Sequence, residues 1–248
     1  MRRWKVALIA VLALALGFGL GTLRPIVDRP PLVVGQDAVT DAASASVVVR
    51  TENVGGTVLH ILPTGERRVA LILYPGGLVR PQAYEWLGRA LAARGVETWI
   101  PEMPADLAVL GKGRADALVE RIGPGTPVVL AGHSLGGAMA ADYASRHADR
   151  VHGLILMASY PAQDVTVRAP WPALSLLAER DEVADAAAVR AGVGRLPAGS
   201  RLVVIPGAVH AFFGRYGPQA GDGVPTVSRA DAEAAILGAA SGYLDAVR

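Results

Sequence analysis

Residues 127–137, Pro-Val-Val-Leu-Ala-Gly-His-Ser-Leu-Gly-Gly, decide the fold. The first five form a short apolar, β-branched run of the kind that fills a buried strand. Gly132-His133-Ser134-Leu135-Gly136 follows without a spacer, and residues 135–147 continue as an alanine-rich stretch of helical character. A Gly-x-Ser-x-Gly run between a strand and a helix forces a sharp, strained turn that lifts the serine hydroxyl above the sheet. Only small residues at Gly132 and Gly136 permit that approach, and Gly137 extends the clearance the helix needs.

The rest of the chain repeats this alternation from residue 47 onward. Residues 47–50 and 56–62 read as an opening antiparallel pair around the turn Gly55-Gly56, and 69–74 as the first strongly apolar strand. Strands are then expected at 96–100, 127–131, 153–158, 173–178 and 201–205. Helices are expected at 82–94, in part of 106–122, at 135–147 and at 230–247, with Gly95 capping the first. Strands alternating with helices specify an α/β class, a mainly parallel sheet with helices on both faces. Only about a dozen residues separate Ser159 from Pro172, enough for a loop wall and too few for a helical cap over the site.

A serine hydroxyl needs a base within hydrogen-bond reach and a group to orient that base. Of five histidines, His60 lies in a strand, His133 in the elbow, His147 at a helix end and His152 before a strand. His210 alone occupies a loop directly after the last strand, the base's place in the order Ser, Asp, His. Asp181, a short loop beyond the penultimate strand, is the expected acid, with Glu179, Glu182 and Asp185 as rivals and helix capping as the competing role for Asp185. The oxyanion donors are expected to be the N–H groups of Leu135 and Gly77, with Leu78 as the alternative to Gly77. Tyr160, Trp171, Phe212, Phe213 and Tyr216 flank these loops as candidates for an acyl pocket or for the core.

The turn Leu73-Tyr74-Pro75-Gly76-Gly77-Leu78-Val79, the elbow at 132–137 and the segment from His210 to Gln219 with Asp222-Gly223 resemble a bacterial α/β-hydrolase group distantly related to dienelactone hydrolases. The resemblance covers roughly residues 47–247. It implies the α/β-hydrolase fold and a Ser-Asp-His hydrolase of loosely defined substrate range. Dienelactone hydrolases use a cysteine nucleophile where this chain has Ser134, so the likeness extends to hydrolytic chemistry and not to the lactone substrate.

Composition sets the remaining bounds. A chain of 248 residues with 52% apolar and 19% charged residues buries one substantial core. Arg2, Arg3 and Lys5 supply three of the 24 basic residues, leaving 21 against 22 acidic ones, so no basic stripe for nucleic acid is expected. Absence of cysteine excludes disulfides, a thiolate nucleophile and cysteine metal ligands. No cofactor, metal or protein partner is expected. Residues 6–23 form an uncharged apolar run about 27 Å long as a helix, close to the hydrocarbon thickness of a bilayer. With Arg2, Arg3 and Lys5 before it, residues 1–23 read as a membrane anchor, the catalytic domain lying outside the cytoplasm. Secretion after signal cleavage is the alternative, although Ala43-Ser44-Ala45 lies far downstream for a cleavage site. Residues 24–46, with Pro25, Pro30 and Pro31, read as an extended tether, and 47–248 as the hydrolase domain.

The expected function is hydrolysis of a small carboxylic ester, thioester or lactone through an acyl-enzyme. Cofactor-free perhydrolysis or haloperoxidase-like chemistry is the enzymatic alternative, and a non-catalytic binding protein on the same fold is the other.

Overall fold

The computed structural model describes residues 3–33 and 42–247. Eight strands form one sheet: β1 (Val49–Asn53), β2 (Thr57–Ile61), β3 (Val69–Tyr74), β4 (Val96–Pro101), β5 (Val128–His133), β6 (Gly153–Met157), β7 (Ala173–Ala178) and β8 (Arg201–Ile205). Their order is β1-β2-β4-β3-β5-β6-β7-β8. The β1-β2 and β2-β4 pairs are antiparallel, and every pair from β4-β3 to β7-β8 is parallel.

The central strands β3, β5, β6 and β7 are buried along their whole length, as a sheet covered on both faces requires. Their alternate residues feed two cores. Leu71, Leu73, Val129 and Ile155 face α3 (Glu85–Ala92) and α7 (Arg229–Leu244). Ala70, Ile72, Leu130 and Leu154 face α4 (Ala115–Ile122) and α5 (Leu135–Arg146). A shorter helix, α6 (Ala186–Gly192), follows β7. No helix interrupts residues 158–172, so the site has no helical cap.

The N-terminal segment differs from its expected form. Helix α1 runs from Arg3 to Val27, past the boundary drawn at residue 23. Pro25 sits in its last turn, where it forfeits one backbone hydrogen bond without ending the helix. Trp4–Gly21 is long and apolar enough to cross a membrane. The stretch expected to be an extended tether touches the domain near both ends. The Val33 N–H donates to the Arg215 carbonyl at 2.8 Å, and the Gly217 N–H to the Pro31 carbonyl at 3.0 Å. At the far end lies a short helix, α2 (Ala42–Ala45), where Arg89 donates to the carbonyls of Ser44 and Val47. The part of the tether at 34–41 lies outside the described residues.

Polar residues at the antiparallel edge have a structural task. His60 on β2 contacts Glu52 on β1 at 2.8 Å and Glu97 on β4 at 3.0 Å, and its ring stacks on Trp99. Burial opposes ionisation of Glu97, but hydrogen bonds from His60 and Arg67 overcome it and hold its pKa at about 2. A carboxylate whose folded pKa lies below its unfolded value near 4.5 stabilises the fold fully above that value, and the contribution is lost as pH falls towards 2. Glu97→Gln is therefore expected to destabilise the protein at pH 7, with the gap from wild type closing between about pH 4.5 and 2. Urea melts across that range measure it.

Candidate active site

Ser134 stands between β5 and α5 with φ 51° and ψ −124°, a conformation that an L-residue adopts only under strain. Neighbouring backbone enforces it. The Ser134 N–H donates to the Met157 carbonyl at 3.0 Å, and its own carbonyl accepts from Ser159 Oγ at 2.7 Å. A Cβ on Gly132 would lie 2.5 Å from the Gly136 backbone, and one on Gly136 would lie 2.3 Å from the carbonyl oxygens of Tyr74 and Pro75. The elbow thus depends on both glycines, as its sequence implies.

His210 opens a single 3₁₀ turn, His210–Phe213, after β8. Its Nδ1 lies 2.8 Å from Asp181 Oδ2, and both side chains are buried. The other Asp181 oxygen accepts from the N–H groups of Val183 at 2.9 Å and Ala184 at 2.7 Å, so the carboxylate is held by three donors. The rivals are occupied elsewhere: Glu179 accepts from Gly207 N–H, Asp185 caps α6 through Ala187 N–H, and Glu182 is exposed. No hydrogen bond joins Ser134 Oγ to His210 among the described residues. The ring of His133, the residue before Ser134, is 4.5 Å from the His210 ring.

The glycine turn after β3 meets the start of α5. A Cβ on Gly77 would lie 3.4 Å from Leu135 Cδ2. The Gly76 N–H donates to Tyr84 Oη at 2.9 Å and the Leu78 N–H to the Asp106 carbonyl at 2.8 Å. That leaves the Gly77 N–H as the one without a hydrogen bond among the described residues of this turn. Leu135, as the first residue of its helix, likewise has no intrahelical acceptor for its N–H. Gly77 and the first residue of α5, Leu135, thus each keep an N–H without a partner in the turn or helix, whereas the Leu78 N–H is taken.

Of the aromatic candidates, Phe213 and Tyr216 belong to the core with no exposed surface. Phe212 is partly buried beneath the Arg229 guanidinium, 4.5 Å from its ring centre, while Tyr160 and Trp171 are partly exposed.

Two features escape a reading of the sequence. Asp222 accepts the backbone N–H groups of His210 at 3.0 Å and Ala211 at 2.8 Å, clamping the histidine's loop. Arg229 donates to the carbonyls of Gly214 and Tyr216 from the other side. Beneath the elbow, Tyr84 Oη takes the Gly76 N–H and lies 2.8 Å from His133 Nδ1. Burial, with the nearby His210, drives the His133 pKa well down, so its ring stays neutral beside His210. The signal for Asp222 was its place twelve residues after His210, within the segment particular to the resembled group. Tyr84 and His133, 49 residues apart, carried none.

A mainly parallel sheet with a strained serine at the C-terminal end of a central strand, and an acid-bound histidine in the loop after the last strand, is the framework of the α/β-hydrolases. The chain belongs to the alpha/beta hydrolase family, whose model matches residues 70–234. Its reaction class is accordingly hydrolysis. Among solved structures it is similar to a predicted CIB-like hydrolase from Thermoplasma acidophilum. That likeness has a TM-score of 0.54 at 18% identity and covers 66% of this chain and 89% of that one, which bears on the fold alone. No curated protein matches the chain.

Proposed function

We propose that the protein is a membrane-anchored hydrolase of carboxylic esters that works through an acyl-enzyme on Ser134. The observation that carries this reading is the buried contact of His210 Nδ1 with Asp181 beside the strained serine. Asp181 holds the proton on Nδ1, which leaves Nε2 as a lone-pair base for the Ser134 hydroxyl. Attack by Oγ on the ester carbonyl builds a tetrahedral oxyanion between the N–H groups of Leu135 and Gly77. The intermediate collapses as His210 returns the proton to the departing alcohol. Water, deprotonated by the same nitrogen, then releases the acid and restores Ser134. Two pre-aimed donors matter because loss of one such donor typically costs about 2.7–4 kcal/mol of barrier.

Helix α1 supports the anchor reading by its length and apolarity, and the basic residues before its apolar run favour a cytoplasmic N-terminus. The contacts of residues 31–33 with the domain add a reason for retention, since cleavage near residue 45 would remove them.

The test is hydrolysis of short-chain p-nitrophenyl esters by wild type and Ser134→Ala. Turnover by wild type alone supports the proposal; an inactive wild type, or an active variant, overturns it. Asp222 gives a further expectation. Asp222→Ala strands the N–H groups of His210 and Ala211, at about 1–3 kcal/mol for each buried donor left unpaired. A base displaced by even ~1 Å loses up to about 100-fold in rate. Steady-state kinetics should show kcat reduced about 10- to 100-fold with KM little changed, accompanied by a lower Tm.

A further inference from the structure

The segment that joins α1 to the domain is docked on the edge of the sheet where Ser134 lies. The Arg29 guanidinium pairs with Asp106, whose backbone carbonyl holds Leu78 next to the oxyanion turn. Three residues on, Leu32 forms an antiparallel bridge with Tyr216 and packs into the core behind the His210 loop. The tether thus grips the catalytic edge at two places, one beside the oxyanion turn and one beside the base. Val27, the last residue of α1, precedes Arg29 by two positions, a reach of at most about 7 Å of chain. A bilayer that holds α1 must lie against this edge, whereas a free linker of that composition would let the domain turn any face to it.

Exposed apolar side chains point the same way. Outside α1, the large hydrophobics exposed among the described residues are Val48, Val109, Leu110, Val183 and Val224. Four of these five stand on the loops that follow β4, β7 and β8, at the C-terminal ends of the parallel strands. Val183 comes two residues after Asp181, and Val224 two residues after Asp222. Leu110 is 61% exposed and Val224 80%, values that suit residues dipping into the interfacial layer of a membrane.

We infer that the docked tether turns the catalytic edge onto the bilayer that holds α1, so that the substrate is an amphiphilic acyl ester lying in the lipid–water interface. This rests on the hydrolase and anchor readings above. A site without a helical cap receives such a substrate directly from the bilayer, with the acyl chain entering between the apolar loops and the ester carbonyl reaching Ser134. The covalent step is the one already described: the ester C–O bond breaks, the acyl group passes to Oγ, and water completes hydrolysis to acid and alcohol.

Because the chain has no cysteine, single probes can be placed at will. Full-length Leu110→Cys, Val224→Cys and Arg201→Cys proteins, the last at the opposite edge of the sheet, are labelled with an environment-sensitive fluorophore. Each is reconstituted in phosphatidylcholine–phosphatidylglycerol vesicles that carry nitroxide-bearing lipids. The expected result is quenching at 110 and 224 at least about threefold stronger than at 201, as for groups seated in the interface. The same vesicles, with wild-type protein and Ser134→Ala, are assayed on soluble p-nitrophenyl acetate and on a bilayer-dissolved long-chain acyl ester. Preferential quenching with Ser134-dependent cleavage of the bilayer ester supports the inference. Equal quenching at all three sites, or cleavage of the soluble ester alone, overturns it while leaving Ser134 a hydrolytic nucleophile. Cleavage of neither ester overturns it together with the proposed function.

Discussion

Ser134→Ala is expected to lower kcat on p-nitrophenyl esters by about 10⁶, the order of loss seen when a serine nucleophile is removed from such a triad. Its fold should survive. Ser134 Oγ makes no hydrogen bond among the described residues, and the strained backbone is held by Met157, Ser159 and the flanking glycines rather than by the hydroxyl. Stability should therefore change by no more than about 0.5 kcal/mol, and circular dichroism should superimpose on that of wild type. A variant that retained turnover would show that water is activated without Ser134. A variant that unfolded would move the role of Ser134 from chemistry to structure.

Asp181→Asn carries the second-largest effect, about 10⁴ in kcat. Asp181 places one oxygen on the N–H groups of Val183 and Ala184, and the other on His210 Nδ1. An asparagine there keeps its amide oxygen on the two backbone donors, because turning it round would face its NH₂ against them. The NH₂ then meets His210 Nδ1 and demands an acceptor. That fixes the proton on Nε2, the nitrogen that must receive it from Ser134, so the geometry is preserved and the tautomer is wrong. Adding Asp181→Asn to Ser134→Ala should cost nothing further, since members of one catalytic unit are not additive. A loss of tenfold or less in the single variant would mean that His210 is oriented by other groups.

The framework was legible because it rests on short-range pattern. Residues 69–74, 173–178 and 201–205 are strands at their expected bounds, each a mostly apolar run between turn residues. β5 runs two residues beyond its expected end because Gly132 and His133 pair with Leu156 and Met157 on β6, which local composition does not reveal. The helix expected at 82–94 begins instead as a 3₁₀ turn at Pro81–Tyr84 and becomes α-helical only from Glu85 to Ala92. Glycines at 111 and 113 break the stretch expected to be helical in part, and there the chain makes 3₁₀ turns before α4.

Chain order put four acids after β7; that Asp181 is the one against His210, with two backbone donors on its second oxygen, is geometric. Contacts between distant segments were not legible. Arg29 meets Asp106 across 77 residues and Tyr84 meets His133 across 49, and neither partner is marked by any local motif. The docked tether belongs with these. Its prolines indicate an extended chain, but only the fold shows that the extended chain lies along the catalytic edge.

A fluorophosphonate tests whether Ser134 is an activated nucleophile without any assumption about substrate. The reagent is added to full-length wild type, Ser134→Ala and His210→Ala, and the adduct is located by peptide mass spectrometry. One phosphonyl group is expected on the peptide that contains Ser134 in wild type, none on Ser134→Ala, and strongly slowed labelling of His210→Ala. An unlabelled wild type, or a label that persists in Ser134→Ala, would contradict an activated Ser134.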